Sequence, residues 1–229
     1  MNLQGYQKLT LLDYPGKVAC TVFTGGCNFL CPFCHNASLV LTPTLYDSAQ
    51  EDIFIYLQSR KGIVDGVCVT GGEPLLQPDI EEFIAKIKQL NYSVKLDTNG
   101  SNPKKLESLI KKGLIDYVAM DIKSSKENYF KATGKEIDLS LIEQSIEIIK
   151  NSGIDYEFRT TAVKNLHNKQ DFYNIGLWLK DVKNYYIQGF VDSGNLIKQG
   201  YEAFSYLEMQ ELLSETQKNI PHAKIRGEN

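Results

Sequence analysis

Apolar positions along this chain fall in short runs that alternate with longer stretches of helical period. Val18-Ala19-Cys20-Thr21-Val22-Phe23 is a β-rich run that delivers the chain to Gly25-Gly26. Ser48-x-x-Glu51 has the form of a capping box, opening a helix on which Ile53, Tyr56, Leu57 and Arg60 share a face and Gly62 is the stop. Gly66 to Thr70 predicts a second strand, running into Gly71-Gly72-Glu73-Pro74. Pro78-Asp79 then starts a helix that aligns Ile80, Phe83, Ile84 and Ile87. Val94 to Thr98 is a third strand, and Asn102-Pro103, an N-cap followed by a first-turn proline, opens a helix carrying Leu106, Leu109 and Ile110. Asp116 to Asp121 gives a fourth strand. After a longer excursion over 124–137, Leu139, Ile142, Ile146 and Ile149 mark a helix that ends before Gly153. Tyr156 to Val163, a helix over 168–180, and Asn184 to Gln188 continue the alternation, and a last helix is expected around Leu207 to Lys218.

Strands alternating with helices point to a parallel sheet with right-handed crossovers. Periodicity alone leaves open whether that sheet is a doubly wound open sheet or part of a barrel. The chain has 229 residues, 42% hydrophobic, with no internal repeat, low-complexity tract or linker-like stretch. One domain over 1–229 is therefore expected, with a core from about 17 to 190 and a closing segment from 191 to 229. Charge changes the picture little: 25 basic residues face 28 acidic ones, so no broad attraction to nucleic acid or membrane follows. Neither a signal peptide nor an apolar run near 18 residues is evident, and five cysteines, three of them in one loop, do not make a disulfide framework. The reducing cytoplasm is the expected compartment.

The polar motifs fall at or just after the C-terminal ends of successive predicted strands, the edge where parallel α/β proteins collect ligands. Cys27, Cys31 and Cys34 are spaced C-x3-C-x2-C. A structural zinc site and an electron-carrying 4Fe-4S cluster each use four protein ligands. Three thiolates leave one iron of a 4Fe-4S cluster with an open position, which argues for chemistry at that iron. Cys20 and Cys68 read as core thiols; His35, next to Cys34, leaves a zinc corner open as an alternative and is otherwise a candidate donor to the cluster. The glycines of Gly71-Gly72-Glu73-Pro74 can expose backbone to a ligand, while a buried Glu73 would hold neighbouring donors. Asp97 and Asp121 end adjacent strands, and two carboxylates at one spot repel unless a cation or donor intervenes. Either Lys123 neutralises them or a monovalent cation is bound. Lys123 and Arg159 are cations suited to carboxylate binding. His167 reads as a loop residue, and His222 as part of a fraying tail.

The cysteine motif with Phe33 before its third thiol, followed by Gly71-Gly72-Glu73-Pro74 after a strand, resembles the radical S-adenosylmethionine (SAM) superfamily. Leu96-Asp97-Thr98-Asn99-Gly100 and Met120-Asp121-Ile122-Lys123 are similar to glycyl-radical-enzyme activases within it. Leu12-Asp13-Tyr14-Pro15-Gly16-Lys17 and the block Lys95 to Lys123 look most like the anaerobic ribonucleoside-triphosphate reductase activating proteins. This resemblance, over about residues 5–190, implies a partial (β/α)6 barrel with a 4Fe-4S cluster on Cys27, Cys31 and Cys34. It implies that Gly71, Gly72 and Glu73 contact the SAM amino group and that Phe33 packs on adenine. By the same likeness Asp97, Thr98 and Asp121 surround a monovalent cation beside the SAM carboxylate, with Asn99, Lys123 and Arg159 also on the cofactor. The implied reaction is reductive SAM cleavage to a 5′-deoxyadenosyl radical that takes a hydrogen atom from a glycine Cα of a partner enzyme. No further CxxC is present, so a separate flavodoxin or ferredoxin is expected to supply the electron. Two alternatives stand beside this reading: a small-molecule radical SAM enzyme such as a 7-carboxy-7-deazaguanine synthase, and a non-catalytic iron–sulfur or zinc protein. Between Gln188 and Ser205 nothing matches the family's late SAM contacts; Gln188 is the one candidate there.

Overall fold

A computed structural model describes residues 1–44 and 49–227. The chain begins with β1 (Leu3–Thr10), β2 (Ala19–Thr24), α1 (Ala37–Leu41), α2 (Ala49–Ser59) and β3 (Gly66–Gly71). It continues through α3 (Ile80–Gln89), β4 (Ser93–Thr98), α4 (Pro103–Lys111), β5 (Tyr117–Asp121), α5 (Tyr129–Thr133) and α6 (Leu139–Lys150). The remaining elements are β6 (Asp155–Ala162), α7 (Lys169–Trp178), β7 (Tyr185–Gly189), α8 (Tyr206–Gln217) and β8 (Lys224–Arg226). They form two compact units, one of Met1–Asn28, Ser38–Ala119 and Ser140–Asp155, the other of Phe29–Ala37, Met120–Leu139 and Tyr156–Asn229.

In the first unit β2, β3 and β4 lie parallel in chain order, with Val22 opposite Val69 and Val69 opposite Leu96. Burial is nearly continuous along these strands, over Ala19 to Val22, Val67 to Val69 and Val94 to Leu96, so they read as short buried runs rather than as alternating ones. Ile53 and Leu57 of α2, Phe83, Ile84 and Ile87 of α3, and Leu106 and Leu109 of α4 are all buried. Asn102 caps α4 as its sequence requires, its side chain accepting from Lys105 N at 3.2 Å ahead of Pro103. Arg60, expected on the buried face of α2, instead lies beyond the helix end and is exposed, its guanidinium over the Tyr56 ring at 5.6 Å. Directly past the last helical residue, a long cation reaches water more cheaply than core. Ser48 of the expected capping box lies outside the described residues.

Strand β1 was not expected. It pairs antiparallel with β2 through two register irregularities, and its burial does not alternate, so it carries no period-2 signal.

In the second unit β6, β7 and β8 are parallel. Asn168 and Ser205 open α7 and α8 with full capping boxes, closed by Asp171 and Glu208. The excursion before α6 folds into a 3-10 turn and α5, tied down where Asp171 Oδ1 accepts from Ser125 Oγ at 2.6 Å and Asn128 Nδ2 at 2.7 Å. His222 does not sit in a fraying segment: its ring contacts Val182 O at 2.7 Å, and β8, just after it, pairs with β7. Arg226 makes a two-pronged pair with the fully buried Glu157, 2.7 Å on each prong. A buried carboxylate requires such a partner, and the short β8 supplies it. The fold is thus α/β with a mostly parallel sheet, as the alternation of elements predicted. Among the described residues no helix is long and apolar enough to cross a membrane.

Candidate active site

The loop from Cys27 to Cys34 leaves β2 in the first unit and continues into the second. None of the five cysteines is in a disulfide. Cys20 is wholly buried in β2, and burial pushes its thiol up to about 12, as befits an inert core residue.

Backbone contacts in the first unit set the start of the loop. Gly26 N–H donates to Leu39 O at 2.7 Å, and Gly26 O accepts from Glu73 N at 2.8 Å. At this approach a Cβ on Gly72 would collide with the Gly26 carbonyl, so only glycine fits. Gly72→Ala is expected to destabilise the protein by ~1–3 kcal/mol and to lower cluster occupancy, read by urea unfolding and by iron content.

Glu73 is fully buried, and the expected role of holding neighbouring donors is what it performs. Its Oε1 accepts from Leu75 N at 3.1 Å and Thr98 Oγ1 at 2.8 Å, and its Oε2 from Asn99 N at 2.7 Å. One carboxylate therefore ties the turn after β3 to the end of β4. Thr98 consequently turns its hydroxyl to Glu73, on the opposite side of β4 from Asp97. Asp97 pairs with Lys95, a lysine only 1% exposed that also lies 3.8 Å from Cys68 Sγ. The sequence reading missed Lys95, because a strand buried on both faces gives no sign of which polar residue points inward.

In the second unit the loop is braced again. Leu30 N–H donates to Thr133 O at 2.8 Å, and Gly134, at φ 66°, lies so close to the Leu30 carbonyl that a Cβ would clash. Pro32 O accepts from Lys198 N at 2.8 Å, giving part of the unmatched stretch after Gln188 a positioning role. Gln188 itself lies in β7, opposite Thr161 and Arg226. Phe33 is buried with its ring edge toward His167, centroids 6.5 Å apart.

His167 lies in the loop between β6 and α7, as expected, and is buried there. Its Nδ1 accepts from Val163 N at 3.0 Å, so the proton sits on Nε2, which donates to Lys123 O at 2.8 Å. Burial lowers its pKa. A base whose folded-state pKa is depressed takes up a proton more readily when unfolded, so its effect on stability is absent above the unfolded value of about 6.5 and turns unfavourable below it. Urea midpoints are expected to fall between pH 7 and pH 5, and His167→Gln is expected to flatten that slope.

Lys123 and Arg159 flank Asp121, with Lys123 Nζ 2.8 Å from Oδ2 and Arg159 Nε 2.5 Å from Oδ1. Burial alone would raise the Asp121 carboxyl, but Arg159 and Lys123 together hold it well below the usual carboxylate range. Arg159 also lies 3.9 Å from Glu157, so Lys123, Asp121, Arg159, Glu157 and Arg226 alternate in sign as one chain of charge. Lys123 and Arg159 thus both lie against Asp121 and offset its charge. A monovalent cation at Asp121 would compete with these two side chains, and one at Asp97 with Lys95. Among the described residues no three His, Cys, Asp or Glu side chains converge on a single metal ion; in a 4Fe-4S cube each thiolate holds a different iron. The donor set fits that group: three thiols outside any disulfide, in the spacing of an open-site cluster, on a braced loop, with the Asn99 amide directed at Cys27 Sγ from 3.8 Å.

Fold and loop together define an α/β protein with a mostly parallel sheet and a loop of three cysteines beyond the end of a strand. Residues 21–175 match the Radical SAM superfamily. The chain belongs to that superfamily and is an enzyme of its kind, which implies a 4Fe-4S cluster and SAM. It is 34% identical over 194 residues to a Methanocaldococcus jannaschii protein provisionally named a glycyl-radical enzyme activating enzyme, covering 82% of this chain and 79% of that one. A Saccharolobus solfataricus protein provisionally named a GTP 3′,8-cyclase is 32% identical over 154 residues, 65% of this chain but 48% of the cyclase. Among solved structures, Streptococcus suis SuiB bound to its precursor peptide SuiA superposes over 90% of this chain and 48% of its own, with TM-score 0.69 and 14% identity, a likeness of fold.

Proposed function

We propose that this protein is a glycyl-radical-enzyme activating enzyme, with anaerobic ribonucleoside-triphosphate reductase as its partner. The observation that carries the activase reading is the 34% identity to the methanogen relative, which extends over most of both chains. The likeness of residues 12–17 and 95–123 to reductase activating proteins supports the narrower choice of partner. Bound together, the 4Fe-4S cluster and SAM supply one-electron cleavage of the sulfonium to methionine and a 5′-deoxyadenosyl radical able to take a glycine hydrogen atom.

The chain's own residues hold and orient. Cys27, Cys31 and Cys34 carry the cluster as thiolates. Gly71, Gly72 and Glu73 present the turn that meets the SAM amino group, and Glu73 keeps that turn in place through Thr98 and Asn99. Lys123 and Arg159 offer cationic donors to the SAM carboxylate, Asp121 holding both of them charged and aimed. Phe33 provides an apolar surface for adenine, its ring set by His167. No acid–base pair is needed for hydrogen-atom transfer, so the protein's contribution is positioning and exclusion of water. The electron comes from an external flavodoxin or ferredoxin.

The test is anaerobic incubation of the reduced, SAM-supplied protein with purified anaerobic ribonucleotide reductase. A glycyl radical on the reductase, seen by electron paramagnetic resonance (EPR) and dependent on both SAM and this protein, is expected. The partial matches to GTP 3′,8-cyclases favour small-molecule radical chemistry as a second reading. SAM cleavage stimulated by a nucleotide, and by no glycyl radical enzyme, would move that reading to the front.

A further inference from the structure

Cys27 receives a hydrogen bond from a distant part of the chain. Asn99 Nδ2 lies 3.8 Å from Cys27 Sγ and 2.9 Å from Asn28 Oδ1, so both amide hydrogens have acceptors. Asn99 Oδ1 accepts from Ser101 N at 2.9 Å, while Asn28 Nδ2 donates to Ser101 Oγ at 2.9 Å. These contacts fix which end of the Asn99 amide carries nitrogen, since turning it over would set its oxygen against Asn28 Oδ1 and its NH2 against the Ser101 N–H. The main chain is held as well: Asn99 N–H donates to the buried Glu73 at 2.7 Å. With only 5% of its surface exposed, Asn99 cannot swing its donor away to water.

We infer that Asn99 tunes the redox potential of the cluster, its amide donating to the Cys27 thiolate and favouring the reduced state. This inference rests on the proposed role of Cys27 as an iron ligand. Hydrogen bonds to cluster sulfurs are among the protein's means of setting the potential. One-electron reduction adds negative charge that the sulfurs share, so an N–H donor to a ligating sulfur binds the reduced cluster more strongly than the oxidised one. The external flavodoxin or ferredoxin gives up the electron and the cluster takes it; no proton or bond is exchanged. Without the donor a stronger reductant is required. The residue therefore acts on the electron-transfer step, through Cys27, as a positioning group.

The test is an EPR-monitored redox titration of reconstituted protein without SAM, comparing wild type with Asn99→Leu, Asn99→Asp and Ser101→Ala, each normalised to iron and sulfide content. At a fixed solution potential the reduced-to-oxidised ratio is expected to fall about tenfold in Asn99→Leu, equivalent to ~59 mV for one electron. Asn99→Asp is expected to fall further, because it sets a negative charge beside the thiolate. Ser101→Ala keeps its backbone N–H to Asn99 and is expected to match wild type. Equal potentials in wild type and a fully loaded Asn99→Leu would overturn the inference. Should Asn99→Leu not hold a full cluster, pulsed EPR of the wild type in deuterium oxide decides: an exchangeable deuteron coupled to the cluster and absent in Asn99→Asp supports the donor, and identical couplings in both refute it. Failure of the wild type itself to assemble a 4Fe-4S cluster would instead overturn the ligand role of Cys27, a separate result.

Discussion

Replacing Cys27, Cys31 or Cys34 singly by alanine is expected to reduce SAM cleavage below detection, while Cys20→Ala and Cys68→Ala keep most of it. The contrast follows from the environments of the five thiols. Cys20 is sealed in a strand and stays protonated, its pKa pushed up by burial, and a thiol in that state neither binds iron nor reacts. Cys68 is also fully buried, packed beside the Lys95–Asp97 pair of the first unit. Losing one small side chain from either site costs stability but leaves the cluster loop unchanged. The three loop thiols already number one fewer than a closed four-ligand site. A cluster held by two thiolates loses the distinction between three ligated irons and one open iron, on which SAM binding depends. Iron content and 5′-deoxyadenosine yield, measured on the same samples, check both halves of the contrast.

Glu73→Ala is expected to have the second largest effect, and on two readouts at once. Three donors, Leu75 N, Thr98 Oγ1 and Asn99 N, converge on this carboxylate inside the protein. Removing it strands buried donors, each at ~1–3 kcal/mol, so a loss of several kcal/mol in urea unfolding is expected even after partial rearrangement. Catalysis should fall more than stability alone would require, because the same carboxylate ties the turn after β3 to the end of β4 and anchors the segment that bears Asn99. At temperatures where the variant is still folded, SAM cleavage at least a hundredfold below wild type is the expected result. Glu73→Gln keeps the shape and one acceptor oxygen, and it should recover part of both losses. A variant with wild-type cleavage would remove Glu73 from the account of the site.

Much of this was legible in the sequence because local and long-range requirements agree. The strands of the sheet read as apolar runs since nearly all of their residues are buried, and Asn102-Pro103 announced a helix start by chemistry that no neighbour overrides. The cysteine spacing was readable because it lies within eight residues, and Glu73 from its place in the turn, although Thr98 and Asn99, which donate to it, lie 25 and 26 residues on. What escaped depends on partners distant in sequence. Strand β1 is an irregular edge with no alternation, and β8 is three residues long. Glu157 finds Arg226 across 69 residues, and His167 reaches the Lys123 carbonyl across 44. Lys95 sits one residue from a fully apolar neighbour on each side, so nothing in its immediate surroundings reveals that it pairs inward with Asp97. Asp97 and Asp121 were expected to need either Lys123 or a bound monovalent cation; the sequence did not reveal that Lys95 pairs with the first and that Arg159 joins Lys123 on the second.

The most direct test of the central claim uses the protein alone. It is reconstituted anaerobically with iron and sulfide, reduced, and divided; SAM is added to one half, and the EPR spectrum and 5′-deoxyadenosine are recorded for both. The account predicts a reduced 4Fe-4S signal that changes on addition of SAM, with 5′-deoxyadenosine formed only where SAM and reductant are both present. A cluster signal indifferent to SAM, with no cleavage by a competent reductant, would contradict it.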